Sequence, residues 1–347
     1  RHARVGALLL GNFGFPEHIL GIVDKHHEKK TRNFVRDIQW ADRFDASYRA
    51  GTAKDQGRKL PIEIAAMAGL EVMRTLHGIN LEEYVRYALK RIGEVIYDNP
   101  RLAALLVDGF YREATVHLRS DSERDENVSL YAHSKIVAAL TSLKIRCPNS
   151  EPVLTIIEPA VEERALFMTV DVVEYLVGLY IYTYFGVLGA VSITLNSIGL
   201  DPSFHIVSES PSRFVVILGK EHVKRLIDNL RKLSTDLLMP IDVRSYAMER
   251  GALRQEIVIR VYPEYEEFPF NTRHVCDICR QPIYDERLMS VLRRVSKTIR
   301  LCERCSLVMN SYRLITGGIR CFCIKKVTQG LLEYPLSLIH ISEPTRP

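Results

Sequence analysis

The spacing of apolar residues divides the chain into a helical first part and a mixed second part. Over residues 60–76 and 81–97, apolar side chains recur every three or four positions, which is typical of amphipathic helices. The same pattern predicts a helix over 130–143. Strand signals are scarce before this point. We therefore expect a helical region over residues 1–115 and a helical linker over 116–160.

From residue 161 to residue 262 the pattern alternates between strands and helices. Runs rich in β-branched and aromatic residues predict five strands, at 166–173, 204–209, 213–218, 241–246 and 257–262. A long apolar segment (176–198) and an amphipathic segment (221–238) predict two helices. The order strand, helix, strand, strand, helix, strand is that of the ferredoxin-like split βαβ unit. The expected fold class is therefore α+β with several domains.

The apolar segment 176–198 contains no charged residue and is long enough to span a bilayer. Its flanks argue against a membrane span, because Glu174 and Asp201 bracket it and no Lys or Arg anchors either end. Polar side chains also lie within it, namely Thr183, Ser192, Thr194 and Asn196. We therefore expect a buried helix packed on a sheet, and no membrane partner.

Composition and charge narrow the class of protein but do not specify it. The 347 residues are 47% hydrophobic and 26% charged, which is typical of a globular protein of two or three domains and excludes wholesale disorder. A net charge of +5 does not by itself indicate a nucleic-acid partner. The chain begins at Arg1 without an initiator Met, and residues 335–347 look like translated sequencing adapter. We expect a fragment of a longer protein with a non-native tail.

Two Cys-x-x-Cys pairs form the most specific signal in the sequence. Cys276 and Cys279 are separated by 22 residues from Cys302 and Cys305. Each pair can direct both of its sulfurs at one metal, so the four thiolates predict a tetrahedral zinc ribbon within residues 263–334. Because protein ligands would occupy all four positions, the predicted zinc is structural.

The remaining cysteines and the local charge bear on compartment and partners. Paired Cys-x-x-Cys motifs favour metal binding over disulfides, and we expect a cytoplasmic protein. His274 is expected to be a neighbour of the zinc rather than a ligand. Cys321 and Cys323 are expected to be core thiols, the alternative being a second half-site completed by further sequence. Residues 273–326 hold twelve Lys or Arg and four Asp or Glu, a local net charge of +8. That excess fits either contact with phosphate or a solvated surface.

A second possible site lies near the N-terminus. Asp42 follows the pair His26 and His27 by fifteen residues on a helical background. Imidazoles and a carboxylate on neighbouring helices can hold one or two divalent metal ions, which activate water for attack on a phosphodiester. His2 would add a further imidazole. The alternative is ordinary helix packing without metal.

Four segments in order resemble the large subunit of type III CRISPR effector complexes. Residues 20–28 and 41–49 look like the later half of its permuted HD domain. The segment Val128-Ser-Leu-Tyr-Ala-His-Ser-Lys-Ile-Val-Ala-Ala-Leu140 is similar to the Ser-Leu-Tyr-Asp-His segment of that family, with Ala132 in place of Asp. The split βαβ unit matches the first Palm domain, and the paired Cys-x-x-Cys motifs match the zinc ribbon after it. The resemblance covers residues 1–326.

The resemblance implies a domain organisation and three activities. Residues 1–115 would be a partial HD domain, 161–262 a first Palm domain, and 263–334 the zinc ribbon with the start of a helical region. The family binds CRISPR RNA and target RNA together with other CRISPR subunits. Its HD domain can cut single-stranded DNA with Mn²⁺, Ni²⁺ or Co²⁺, here through the histidine and aspartate side chains named above. Its paired Palm domains can make cyclic oligoadenylates from ATP.

Departures from the family pattern restrict these activities. The turn Ser208-Glu-Ser-Pro-Ser-Arg213 has no glycine, and Pro211 has no N–H to offer a phosphate. The strand before the long helix has Asp171-Val-Val-Glu174 where the family has Gly-Ile-Gln. The sequence contains neither the Gly-Gly-Asp-Asp of the second Palm domain nor the His-Asp dipeptide of the HD domain. We expect no synthesis from ATP and an incomplete nuclease in this chain.

Three alternatives stay open at this point. If both domains are degenerate, the chain is a non-catalytic scaffold that binds RNA and partner subunits. A parent with an intact HD domain and a degenerate Palm domain would also suit the large subunit of type I-D complexes. The third alternative is an ordinary HD phosphohydrolase fused to a nucleotide-binding domain.

Overall fold

The computed structural model describes residues 2–26, 28, 34–46, 81–116, 118, 129–161, 173–249, 252–264, 274–280, 283, 290–294 and 297–316. Within these residues six helices precede the first strand, and they are α1 (His2–Asn12), α2 (Glu17–Lys25), α3 (Phe34–Ala46), α4 (Leu81–Val95), α5 (Pro100–Thr115) and α6 (Leu130–Arg146). Every element described between residues 2 and 115 is a helix, as the apolar spacing predicts. The helix predicted over 60–76 lies outside the described residues.

Local capping explains where two of these helices begin. Asn99 accepts a hydrogen bond from the Leu102 N–H at 3.0 Å, and Pro100 occupies the first helical position of α5. Ser129 caps α6 in the same way, through the Ala132 N–H at 3.0 Å. The helices then pack in pairs, α1 with α2, α4 with α5, and α3 with α6.

A five-stranded antiparallel sheet follows these helices. Its strands are β1 (Pro152–Pro159), β2 (Ile206–Ser210), β3 (Arg213–Gly219), β4 (Ile241–Glu249) and β5 (Ala252–Val261). They lie side by side in the order β2-β3-β1-β4-β5. The connecting helices are α7 (Val173–Ser197), the short α8 (Pro202–His205) and α9 (Val223–Leu237). The first four strands with α7 and α9 form the predicted split βαβ topology, and β5 extends the sheet as a hairpin with β4.

The first strand of the sheet is not where the sequence pattern predicts it. Residues 152–159 form β1, which pairs with β3 on one side and β4 on the other. The helical linker predicted over 116–160 is therefore wrong for these residues. The strand predicted at 166–173 lies outside the described residues except for Val173, where α7 begins.

The composition of β1 conceals its strand character. Burial alternates residue by residue along it. Both faces are nevertheless apolar, because Val153 and Ile157 pack with α7 and α9 while Leu154 packs on the opposite face with α6. A continuous apolar run of this kind is typical of a central strand and hides the two-residue period.

Both faces of the sheet are covered in part by helices. On one face, α7 and α9 pack against the strands with buried residues that include Val187, Val191, Leu226 and Leu230. On the other face, Leu140 of α6 packs against Ile217 of β3, and Ala41 of α3 joins the same cluster. Helices α3 and α6 are thereby joined to the sheet through an apolar contact.

Helix α7 contains one segment, Tyr175–Ser197, that is long and apolar enough to cross a membrane, with a hydropathy of 1.7. Some 33% of its most apolar window is buried, and Val177, Phe185 and Ile193 are exposed. The helix packs against α9 and the sheet, and against α10 (Glu303–Thr316) of the cysteine region. The predicted packing of this helix on a sheet is confirmed by these contacts.

Candidate metal centre

Four cysteine side chains meet beside helix α7. Cys276 and Cys279 lie on one turn, and Cys302 and Cys305 lie at the start of α10. All four sulfur atoms are within 4.8 Å of one another, and those of Cys279 and Cys302 are 3.5 Å apart. Sulfurs about 2.3 Å from a tetrahedral zinc would be separated by about 3.8 Å. The cluster predicted from the two Cys-x-x-Cys pairs is confirmed, and its dimensions fit one zinc ion.

Hydrogen bonds hold the two halves of this cluster together. The second half follows a hairpin of β6 (Ser290–Arg294) and β7 (Lys297–Leu301). The Asp277 N–H donates to the Arg300 carbonyl at 2.9 Å, and the Arg300 N–H donates to the Asp277 carboxylate at 2.6 Å. Arg280 adopts a positive φ of 63°, a left-handed conformation in which the chain turns sharply after the first Cys-x-x-Cys pair.

The cluster is largely removed from water. Cys276 and Cys305 are fully buried and share an apolar core with Tyr175 and Leu179 of α7. The Tyr175 hydroxyl lies 3.9 Å from the Cys305 sulfur. Because the cluster packs on the same helix that covers the sheet, the cysteine module and the sheet are mechanically connected.

Four thiols this close share their protons. Hydrogen bonding with Cys279 lowers the pKa of Cys276, whereas hydrogen bonding with Cys276 raises the pKa of Cys305. The cysteines among the described residues are all free thiols, so the cluster can release protons as it takes up a metal ion. Four thiolates leave no coordination position for water, which is the arrangement of a structural zinc site.

The predicted histidine and aspartate ligands have a different outcome. Among the described residues, no group of three or more potential metal ligands contains His26 or Asp42. His26 follows α2, and its Nδ1 atom lies 2.6 Å from the Val23 carbonyl oxygen. His27 and the side chain of His2 lie outside the described part of the chain. The metal-ligating role of these four residues stays a prediction.

Asp42 contacts a histidine in the motif that opens α6. The Nε2 atom of His133 is 3.3 Å from an Asp42 carboxylate oxygen, and its Nδ1 atom is 2.5 Å from an Asp45 carboxylate oxygen. The side chain of Asp45 is 5% exposed and that of Asp42 is 55% exposed. An imidazole held between two carboxylates, one buried and one facing water, therefore links α3 to α6.

Neither His133 nor Asp45 is among the predicted site residues, although both lie in segments that carry the family resemblance. One signal does point to Asp45. It lies four residues after the buried Ala41 and therefore falls on the same face of α3. A carboxylate on a buried face needs a partner. Nothing in the spacing identifies that partner, because His133 is 88 residues away.

Solved structures of one class of protein are similar to this chain. Csm1 in T. onnurineus matches with 13% identity and a TM-score of 0.46, over 72% of this chain and 42% of that chain. A Csm1-Csm4 cassette in complex with cA4 matches with 14% identity and a TM-score of 0.45, over 72% and 41%. A Csm1-Csm4 subcomplex of the type III-A CRISPR-Csm interference complex matches with 13% identity and a TM-score of 0.45, over 72% and 41%. No protein-family model and no curated protein matches the chain.

The chain spans about two fifths of the length of these Csm1 chains. One of them belongs to a type III-A CRISPR-Csm interference complex.

Proposed function

We propose that this chain is part of the large subunit of a type III CRISPR effector complex and acts in antiviral defence. The observation that carries the proposal is the order of its parts. The His-His and Ala-Asp segments, the Ser-Leu-Tyr-Ala-His helix α6, the split βαβ sheet and the four-cysteine cluster follow one another as in that family. Each part also contacts the next, since α3 packs on α6, α6 on β3, and α7 on the cysteine cluster.

The proposed partners are other CRISPR subunits, CRISPR RNA and target RNA. Solved Csm1 chains are recorded with Csm4, so a Csm4-like subunit is the first protein partner to test. For RNA, the basic segment 273–326 offers Arg300 and Arg304, whose side chains are 46% and 42% exposed beside the cysteine cluster. Binding through such arginines neutralises phosphates and therefore weakens steeply as salt increases. We place this assembly in the cytoplasm, without a membrane partner.

The direct test is to isolate the full-length parent after co-expression with the CRISPR subunits encoded beside it. We expect a multi-subunit complex that contains CRISPR RNA, identified by mass spectrometry and RNA sequencing. Recovery of the parent alone, without subunits or RNA, would contradict the proposal. Recovery with type I-D subunits would assign it to that alternative instead.

The proposed activity of the parent's HD domain is cleavage of single-stranded DNA. His26, His27, Asp42 and His2 would hold Mn²⁺, Ni²⁺ or Co²⁺, and the metal would supply an activated water. One contact supports this placement: the Gln39 side-chain amide donates to the His26 carbonyl at 2.7 Å. That bond ties the end of α2 to α3, one turn before Asp42.

The nuclease proposal is tested on the full-length complex with labelled single-stranded DNA and Mn²⁺. Changing His27 or Asp42 to Ala should abolish cleavage, while His18→Ala, an exposed histidine on α2, should leave it unchanged. Cleavage at the original rate by both site variants would show that these residues are not the ligands. If the unmodified complex does not cleave the DNA, the scaffold alternative is favoured.

We further propose that the Palm domain carries out no nucleotide chemistry. The turn between β2 and β3 consists of Pro211 and Ser212, and the Arg213 N–H donates to the Ser210 hydroxyl at 3.1 Å. The turn has no glycine, and Pro211 has no N–H, so little backbone is open to a phosphate. Incubation of the complex with ATP and target RNA should yield no cyclic oligoadenylate. Appearance of that product would overturn this part of the proposal.

A further inference from the structure

A second group of potential metal ligands lies at the edge of the sheet where β1 begins and β3 ends. Its residues are distant in sequence from the two cysteine pairs. It consists of Cys147, which follows α6, and of Glu221 and His222, which lie in the single 3₁₀ turn Lys220–His222 before α9. One ligand atom from each of the three side chains lies within 4.8 Å of the others. None of these residues is among the predicted HD ligands, the turn between β2 and β3 or the four-cysteine cluster.

The fold holds the two loops of this group against each other. The Cys147 N–H donates to the Leu143 carbonyl at 2.7 Å, and the Ser150 N–H donates to the Cys147 carbonyl at 3.0 Å. These bonds form a tight turn between α6 and β1. From the other loop, the Lys220 N–H donates to the Glu151 carbonyl at 3.0 Å. Backbone contacts, rather than the candidate ligands, therefore set the distance between Cys147 and the 3₁₀ turn.

Gly219 shows how closely the loops approach. A Cβ atom at this position would lie 2.0 Å from the Ser150 hydroxyl and 2.9 Å from a Glu221 carboxylate oxygen. The side chains of Ser150 and Glu221 would both have to move away from such an atom. The glycine is therefore needed for the approach that brings Glu221 beside Ser150.

The Ser150 hydroxyl also orients the carboxylate of Glu221. Its hydroxyl donates to Oε2 of Glu221 at 2.7 Å, and the other oxygen, Oε1, lies 3.3 Å from Nε2 of His222. Two ligand atoms at about 2.0–2.1 Å from a tetrahedral zinc would be about 3.3 Å apart. The glutamate and histidine thus already have the separation of two ligands on one ion, with an outer hydrogen bond of the kind that positions metal-bound carboxylates.

We propose that Cys147, Glu221 and His222 bind a divalent cation of the zinc class, with a fourth coordination position open to solvent. One thiol, one imidazole and one carboxylate are the donor types that zinc accepts, whereas calcium and magnesium select oxygen donors. The Glu221 side chain is 50% exposed and that of His222 is 23% exposed, so the ion would face water on one side. Three protein ligands and a free position distinguish this site from the closed cluster of four thiols.

Bound metal would fasten the turn after α6 to the start of α9, and hence β1 to β3 at their shared end. The site does not depend on the proposed CRISPR function, because none of its three ligands is a residue on which that proposal is tested. Its failure and the failure of that proposal are therefore distinguishable.

The experiment counts zinc on the folded full-length chain by native mass spectrometry after equilibration with micromolar Zn²⁺ and desalting. We expect two ions per chain, one in the four-thiol cluster and one at the new site. Cys147→Ser and His222→Gln should each bind one ion only. Ser150→Ala should keep both sites but bind the second ion about 10–100-fold more weakly, because it removes only the outer hydrogen bond.

Two matched controls should retain both ions. Glu151→Gln changes an exposed carboxylate in the same loop, and His18→Gln changes an exposed histidine far from it. With Co²⁺ added to protein that already holds one zinc, the thiolate charge-transfer absorption should appear in the unmodified chain and disappear in Cys147→Ser. A single ion in the unmodified chain, or an undiminished thiolate absorption in Cys147→Ser, would overturn the proposal.

Discussion

The four-cysteine cluster and the Asp42–His133–Asp45 contact each join side chains from separate parts of the chain, but they form in different ways. In the cluster, each Cys-x-x-Cys pair is brought together by its own turn, and one pairing of the turn with β7 completes the set. In the contact, α3 supplies two carboxylates, but the imidazole comes from α6, 88 residues on. Ligands within one turn are predictable from spacing, whereas ligands on separate helices depend on how those helices pack.

The largest predicted effect tests the cluster. Cys279→Ser removes one of four ligands and should release the zinc and unfold the module around it. Structural zinc contributes roughly 10–16 kcal/mol of apparent binding free energy in small peptides, so the loss should exceed that of any other substitution considered. Zinc content and hydrogen exchange over residues 276–305 measure the effect. Cys147→Ser is the control and should leave the cluster's ion in place; unchanged zinc in Cys279→Ser would refute the site.

The two carboxylates around His133 should differ in their effect on stability. Asp45 is buried, so Asp45→Asn should lower the free energy of unfolding by about 1.5–3 kcal/mol, because it weakens a buried hydrogen bond made by a charged group. Asp42 has a side chain that is 55% exposed, so Asp42→Asn should change it by only about 0–1 kcal/mol. Urea denaturation of both variants provides the comparison. Equal losses would show that burial does not distinguish the two contacts.

His205 provides a histidine with neutral partners, for comparison with His133. Its Nδ1 lies 2.7 Å from the Ile217 carbonyl oxygen and its Nε2 lies 2.9 Å from the Ser142 hydroxyl. Burial lowers the pKa of His205 from 6.5 to about 4, an effect that a hydrogen bond to Ile217 only partly opposes. Because the unfolded chain binds the proton more tightly, the stability from neutral His205 is complete above about pH 6.5. It is lost as the pH falls toward 4, by about 3 kcal/mol.

The measurement for His205 is urea denaturation between pH 7 and pH 4. His205→Gln should be less stable at pH 7, since it changes a buried hydrogen-bonded side chain, but its stability should fall less as the pH is lowered. The same fall in the variant as in the unmodified chain would show that another group causes the acid sensitivity.

The smallest predicted effect concerns the cap that positions His133. The Ser129 hydroxyl accepts a hydrogen bond from the Ala132 N–H at 3.0 Å. Ser129 thereby begins the helical turn that carries His133. Ser129→Ala should cost about 1 kcal/mol, typical of a lost N-cap. Asn99→Ala, at the equivalent position of α5, is the matched control for capping alone. If Ser129→Ala costs no more than Asn99→Ala, the contact of His133 with the two carboxylates does not depend on the cap.

Much of the sheet region follows from local pattern. The helix predicted over 221–238 is observed as Val223–Leu237, because Leu226 and Leu230 repeat at the spacing of one buried face. The strand predicted over 213–218 is observed as Arg213–Gly219, because its run of β-branched and aromatic residues favours a strand. Strand β1 could not be predicted from local pattern. Both of its faces are apolar, and the alternation appears only in the burial of its residues in the folded sheet.

The sequence by itself determined the helices of the sheet region, four of its five strands and the pairing of cysteines within each turn, because these depend on side chains a few residues apart. Only the tertiary structure decided that β1 lies at the centre of the sheet, that His133 joins Asp42 to Asp45, and that Cys147 reaches Glu221 and His222. Hydrophobic attraction drives the packing of these elements but has no direction. The choice of distant partner is therefore made by how the helix and sheet surfaces fit together, and local spacing does not contain that information.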